Sequence, residues 1–267
     1  MVVEGGPGKD MAFYLIFPLA DGNLNNFWKL NCPHPSEISP VQYARWAARQ
    51  FYGLARALGK LHDLHEQHRH SPEGKVGDGD PFYGIHGDIK PANLLWYREW
   101  VGPSQGGGAA NGHDQEEGQQ RDSPASEALG VLQLADFGIS KMYHTGSRSN
   151  ADLRAATKTY AAPEVEWGAH HGSRSFDIWS LGAVFLEFVC WLVLRGSAIE
   201  DPIKAFEVAR GLDMQNKNMA GTAHDVFYHI VLDKDKAKFE VNPAVQKVCL
   251  PPRFILGGSR AVNRTCR

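Results

Sequence analysis

Cysteine is scarce and scattered: the 267 residues hold four, Cys32, Cys190, Cys249 and Cys266, with no C-x-x-C pair. That argues against a zinc site or a disulfide framework and fits a reducing compartment. Net charge is almost absent as well. A formal balance of −2 offers neither nucleic acid nor an anionic membrane an attractive field. No secretion signal is visible, because MVVEGGPGKD lacks a basic-then-apolar order. The longest apolar run, 181–194, contains Glu187 and is shorter than the roughly 20 residues a bilayer demands, so it reads as a buried helix. The expectation is an intracellular chain, in cytoplasm or nucleus.

What is present is enough apolar residue, 43%, to build a sizeable core. Residues 11–17 (MAFYLIF) predict a short buried strand that Pro18 ends, and Asp21-Gly22 predicts a turn before 24–30. Ser39 is placed to cap a helix with Pro40 at its first position. From 41 to 65 the apolar residues Tyr43, Trp46, Ala47, Phe51, Leu54, Leu58 and Leu61 recur at helical spacing. His62, His65, His68 and His70 follow at loosely metal-like spacing, but they fit a helix end and a solvated loop better. Residues 93–97 and 131–134 predict a strand pair. Between them 98–130 is low in complexity and has little to bury, so it is expected to be a disordered insertion. A polar stretch is expected from 141 to 158. A core helix over 176–194 and a helix over 201–210 complete the predicted elements, in a weakly patterned C-terminal part.

The chemistry centres on His86-Gly87-Asp88-Ile89-Lys90-Pro91-Ala92-Asn93, followed by Asp136-Phe137-Gly138 and Ala162-Pro163-Glu164. Phosphoryl transfer from a nucleotide needs a carboxylate to orient the attacking hydroxyl and a cation for the migrating group. It also needs oxygen ligands that hold magnesium from two directions. Asp88 and Lys90, two apart in a short loop, can face one phosphate. Asn93 offers an amide oxygen and Asp136 a carboxylate for a metal, and Gly138 lets the backbone turn beside it.

Taken in order, D-x-K-P-x-N, D-F-G, A-P-E and D-x-W-S-x-G (Asp177, Trp179, Ser180, Gly182) resemble the eukaryotic protein kinase superfamily, over about 13–250. The resemblance implies an α+β, predominantly helical fold: a kinase-like large lobe with a short β-hairpin at the active site and one residual small-lobe strand. It implies ATP and Mg2+ as cofactors and a protein substrate with Ser or Thr as partner, with no nucleic acid and no membrane. Asp88 takes the place of the catalytic base and Lys90 that of the phosphate contact, in the serine/threonine form of the motif. Asn93 and Asp136 match the magnesium ligands. Thr157 matches the residue that braces the catalytic loop, and Asp177 the one that holds the loop's backbone. His86 and Phe137 match part of an apolar column. The hinge resemblance sets the Phe17 carbonyl and Leu19 amide against adenine, Asn23 near the ribose, and Leu24 with Leu95 as the adenine floor.

Departures from the family qualify these expectations. No glycine-rich loop or lysine-bearing strand precedes the hinge, and G-G-P-G-K-D lacks the rest of a phosphate-loop pattern. Gly87 stands where most kinases carry arginine, so loop phosphorylation is not expected to be the main switch. Glu164 needs an arginine that the altered ending does not obviously supply, with Arg253 and Arg260 as replacements. The organisation read from the sequence is a disordered 1–12, a truncated kinase domain over 13–250, and an atypical tail over 251–267. The functional expectation is a serine/threonine kinase by family, weakly active or inactive as this chain. The alternatives are a kinase-like binding module, or an incomplete gene model or splice form.

Overall fold

The computed structural model describes residues 2–4, 12–14, 17–31, 38–63, 82–99, 129–144, 157–166, 173–195, 197, 199–215, 225–233 and 236–249. Strand β1 (Val2–Glu4) pairs antiparallel with β2 (Ala12–Tyr14). Of the strand expected over 11–17, Ala12–Tyr14 lie in β2 and Phe17 lies outside it, while 11, 15 and 16 fall outside the described residues. The glycine-rich 5–10 fall outside the described residues, as do the insertion's 100–128, the histidines 65, 68 and 70, and the tail from 250.

After β3 (Gly22–Asn23), helix α1 (Leu24–Leu30) starts on a capping box in which Asn23 and Asn26 exchange side-chain-to-backbone hydrogen bonds. Helix α2 (Pro40–His62) starts on another, formed by Ser39 and Gln42. Its buried stripe of Tyr43, Trp46, Ala47, Leu54 and Leu58 follows the 3.6-residue period. Strand β4 (Phe82–Ile85) pairs with β7 (Lys141–His144), in the stretch expected to be merely polar. Strands β5 (Leu94–Tyr97) and β6 (Val131–Leu134) form the expected pair, and β3 joins them as a third strand. The short helix α3 (Pro163–Glu166) precedes α4 (Arg174–Leu194), and α5 (Pro202–Gln215) follows it. The weakly patterned end holds a hairpin, β8 (Tyr228–Asp233) with β9 (Lys236–Val241), and then α6 (Pro243–Cys249).

Aromatic side chains from α1, α2 and α4 make the core. Phe27 stacks on Trp46 at 4.6 Å, Phe51 on Phe185 at 4.0 Å, and Phe188 and Trp191 complete the cluster. Three buried indole N–H groups find carbonyls, Trp46 to Gly130 (2.6 Å), Trp96 to Leu129 (2.8 Å) and Trp191 to Trp28 (3.2 Å), whereas those of Trp28 and Trp179 are buried without a hydrogen-bond partner among the described residues. Two of those carbonyls lie at the end of the 98–130 segment, so its C-terminal end is fixed on the core. Its start is tied as well, by the Arg98 N–H to Asp21. Helix α4 is, by length and composition alone, long and apolar enough to cross a membrane, longer than its apolar run suggested. It buries Phe176, Leu181, Val184, Phe188 and Trp191 inside the chain, together with Asp177 and Glu187, as a core helix does.

Candidate active site

The loop between β4 and β5 is fastened from beneath by α4. Asp177, fully buried, accepts the His86 N–H (2.8 Å) and the His62 Nε2–H (2.9 Å) on Oδ2, and the Gly87 N–H (2.9 Å) on Oδ1. Gly87 has φ +84°, where a side chain would be strained, and this conformation turns successive N–H groups toward one carboxylate. His62, at the end of α2, is part of this fastening rather than a solvated helix end.

His86 is enclosed. Its Nε2 lies 3.0 Å from the Ala135 carbonyl and must carry the proton, which leaves Nδ1 to accept the Asp88 N–H at 3.3 Å. Burial lowers its pKa below the ordinary imidazole value, against the Ala135 carbonyl and the charges of Asp177, Asp88 and Asp136, which pull the other way. The ring also meets Phe137 at 4.9 Å. Phe137 itself is half-exposed, as is Lys141 beyond it.

Asp88 sits at the centre. Oδ1 accepts from the Thr157 hydroxyl (2.8 Å) and amide (3.2 Å), and Oδ2 from Lys90 Nζ (2.6 Å) and Asn93 Nδ2 (3.1 Å). Lys90 also donates to the Thr157 hydroxyl at 3.0 Å. Burial alone would raise the Asp88 pKa. The hydrogen bonds from Lys90 and Thr157, and the Lys90 charge, overcome it and hold the carboxyl below its usual range. Asn93 is buried in a short turn, Pro91–Asn93, and its amide N–H groups serve the Asp88 carbonyl (2.8 Å) and carboxylate. Its amide oxygen is then the atom left to ligate.

Asp136 follows β6. The Ala135 N–H binds the Asn93 carbonyl at 2.9 Å while the Ala135 carbonyl holds His86, so the two loops meet through one residue. Asp136 is exposed, and it is the non-glycine residue with positive φ, +65°, among those described. Its Oδ1 accepts the Gly138 N–H at 3.2 Å, which stabilises the turn. Backbone strain of this sort is kept where surrounding contacts enforce it. Among the described residues no group of three or more His, Cys, Asp or Glu side chains could hold a metal. An amide oxygen and one carboxylate suit magnesium, which keeps waters and phosphate oxygens in its remaining positions.

The hinge residues are less gathered. Phe17 and Leu19 are 74% and 95% exposed, and Asn23 is engaged as the α1 cap. Leu24 has no exposed surface, because α1 turns it inward with Phe27 and Trp28, whereas Leu95 is partly exposed. Glu164 opens α3 half-buried, which weakens the case for a costly orphan charge, and Arg253 and Arg260 lie outside the described residues. The deeply buried pair is one that sequence reading missed. Glu187 binds Arg210 Nη2 at 2.9 Å and the Tyr160 hydroxyl at 2.9 Å, and both charged side chains are almost wholly enclosed. A cavity of about 580 Å³ lies elsewhere, lined by Trp28, Trp191, Asp201 and Ile203 among others, and takes no residue from the Asp88 loop.

The model of the protein kinase domain family matches residues 83–219, just over half of the chain. The chain belongs to the protein kinase domain family. The kinase chain is 23% identical over 197 residues to the probable cyclin-dependent kinase 8 of Dictyostelium discoideum, covering 73% of this chain and 39% of that protein. It is 28% identical to cyclin-dependent kinase 8 of Caenorhabditis elegans, covering 66% and 23%, and of Drosophila melanogaster, covering 39% and 18%. The kinase chain thus spans well under half the length of these relatives. The crystal structure of the yeast RNA Pol II CTD kinase CTDK-1 complex aligns at 20% identity and a TM-score of 0.41, over 77% of this chain and 49% of that one. The fold assignment rests on the family match and the motif geometry, not on that alignment.

Proposed function

We propose that this kinase chain carries the catalytic half-site of an ATP- and magnesium-dependent serine/threonine kinase, with Asp88 facing the acceptor hydroxyl. The observation that carries the reading is the Asp88 carboxylate gripped by Lys90, Asn93 and Thr157, one residue contact away from the turn that presents Asp136.

Bound magnesium and ATP supply the phosphoryl group and much of the charge compensation for its transfer, and Asn93 and Asp136 are the oxygen donors suited to the metal. Asp88, kept ionised by its neighbours, would align the attacking hydroxyl and take its proton late, once bond formation to phosphorus has made that hydroxyl acidic. Lys90 Nζ, shared between Asp88 and Thr157, places a cation beside that hydroxyl. Thr157 fixes the carboxylate's direction through two donors. Neutral His86 positions the end of β6 and with it Asp136. Adenine contacts fall to the Phe17 carbonyl, the Leu19 amide and Leu95, with Asn23 near the ribose. Among the described residues none grips the phosphates from the opposite side. Removing a single preorganised contact costs about 10²–10³ in rate, so transfer by this chain alone is slow. The relatives' name adds a cyclin to the proposal as an activating partner.

A second reading has its own support. A carboxylate has about four acceptor positions, and Asp88 uses four here. In a binding module the same residue would serve only to pin the loop. Titration with a fluorescent ATP analogue, with and without magnesium, separates the two. The kinase reading expects binding that needs the metal, weakens in Asp136→Asn, and supports a slow transfer of labelled phosphate that Asp88→Asn abolishes. Metal-independent or absent nucleotide binding would leave the binding-module reading in its place.

A further inference from the structure

The residues from Thr157 to Ala162 are pinned one after another, with a single exception. Thr157 holds Asp88 through its amide and hydroxyl, Thr159 gives its hydroxyl to the Asp225 carboxylate at 2.9 Å, and Tyr160 gives its own to Glu187 at 2.9 Å. The Tyr160 carbonyl accepts the Ser180 hydroxyl at 2.8 Å, and Ala161 and Ala162 are buried. The exception is Lys158. It opens the short turn Lys158–Tyr160, it is exposed, and among the described residues nothing engages its ammonium. It is also the one cation in the sequence 157–166. The other cations nearby are already paired, Lys90 with Asp88 at 2.6 Å and Arg210 with Glu187 at 2.9 Å.

We propose that Lys158 selects protein substrates that carry a carboxylate within about three residues of the acceptor serine or threonine. The inference rests on the kinase reading above and adds a substrate class to it. Neighbouring Cα atoms are about 3.8 Å apart, so the lysine starts one residue from the group that touches Asp88. An extended peptide advances about 3.3–3.6 Å per residue, which puts a side chain one to three positions from the acceptor within about 10 Å of it. A lysine on its four-carbon stem meets a glutamate across such a gap. Thr157 holds Oδ1 of Asp88 and Asn93 holds Oδ2, so Lys158 follows the residue on the oxygen that the metal donor does not touch. That position favours the peptide over the nucleotide's phosphates. A phosphorylated residue carries about two charges and pairs best with clustered arginines, whereas 157–166 holds one lysine and no arginine. The pinned neighbours present this cation without a loop having to order on binding. A chain of formal net charge −2 attracts no acidic peptide by its overall field, so any acidic preference has to be local.

The test is fluorescence anisotropy of the full chain with labelled serine peptides of about ten residues. They differ only in carrying glutamates, alanines or lysines within three positions of the serine, and they are titrated with and without magnesium and an unreactive ATP analogue. An exposed ion pair changes affinity by up to about fivefold, so the glutamate set should bind a few-fold tighter than alanine and about tenfold tighter than lysine. The spread should shrink near 500 mM salt, where the Debye length falls to a few ångströms. Lys158→Arg should keep the ranking, Lys158→Ala should flatten it, and Lys158→Glu should invert it, in variants that circular dichroism shows to be folded. The proposal is overturned if no peptide binds, if the three sets bind alike, or if the ranking persists in Lys158→Ala. A Lys158-dependent gain of about a hundredfold for phosphoserine over glutamate would also overturn it, by naming phosphate as the partner. Nucleotide binding that ignores magnesium fails the kinase reading and the substrate claim with it, even where the peptides rank as expected. Magnesium-dependent nucleotide binding with unranked peptides fails this proposal alone.

Discussion

Asp177 has no exposed surface, and both of its oxygens are committed to donors from other segments. Replacing it with asparagine turns one oxygen into an N–H donor, and either end of the side chain then faces donors it cannot accept. Leaving buried donors unmatched costs about 1–3 kcal/mol each, so Asp177→Asn should lower stability by about 2–3 kcal/mol in urea titrations. It should also speed hydrogen exchange at the His86 and Gly87 amides, and unchanged exchange would show that the loop does not depend on this carboxylate. His86 gives a prediction in pH. Its folded pKa lies below the free imidazole value because burial disfavours the cation. The unfolded chain therefore takes up this proton first as pH falls. The stability His86 contributes is complete above about pH 6.5 and declines from there down through the folded value. An NMR titration of the imidazole should find its midpoint below 6.5, and a midpoint at or above that value contradicts the buried, neutral assignment.

At the scale of elements, the two described ends of the long 98–130 segment are each fixed by a hydrogen bond to the rest of the domain. Gly130 adopts φ +76° just before β6 and gives its carbonyl to Trp46, and an added Cβ would run into the Tyr97 carbonyl on the neighbouring strand. Gly130→Ala therefore meets backbone that cannot swing aside. It should cost about 2 kcal/mol or more, through a positive φ and a displaced β6. A thermal melt unchanged from the parent would refute this. Some elements were legible in the sequence because their signals are local. Ser39-Pro40 and the apolar period of α2 required no distant partner, and neither did the two short strands β5 and β6. Strand β7 was missed because KMYH gains its strand character only by pairing with β4, more than fifty residues earlier. In the hairpin β8–β9 only KAKFEV alternates, while YHIVLD holds three apolar residues in a row, so no single period marked the pair. The burial of Leu24 was not foreseen for a similar reason. A hinge pattern says which residue follows the turn, whereas the spacing of Leu24, Phe27 and Trp28 says which face is buried.

In the molecule as a whole, the buried group formed by Glu187, Arg210 and Tyr160 joins α4, α5 and the segment after Thr157 that braces Asp88. The sequence showed a charge inside an apolar run without showing its partner, since nothing local marks Arg210, 23 positions away, as the cation that meets it. Arg210 Nε also holds the Asp225 carbonyl at 2.9 Å, Thr159 reaches the Asp225 carboxylate, and Asn242 ties the Arg210 carbonyl to the segment before α6. Burial pushes the pKa values of both Glu187 and Tyr160 upward, with the Arg210 charge opposing the rise at each. This group should therefore couple the helical half of the domain to the active-site loop. Arg210→Met leaves a charged Glu187 enclosed without its cation and should cost about 3–5 kcal/mol, whereas Glu187→Leu with Arg210→Met removes both charges and should recover most of that loss. The recovery is incomplete because the Tyr160 hydroxyl and Asp225 carbonyl still lose partners worth about 1 kcal/mol each. Urea midpoints of the two single variants and the double close the cycle. If the double variant is as unstable as the sum of the singles, the pair is not a coupled unit, and the link from α5 to the Asp88 loop must run through other contacts.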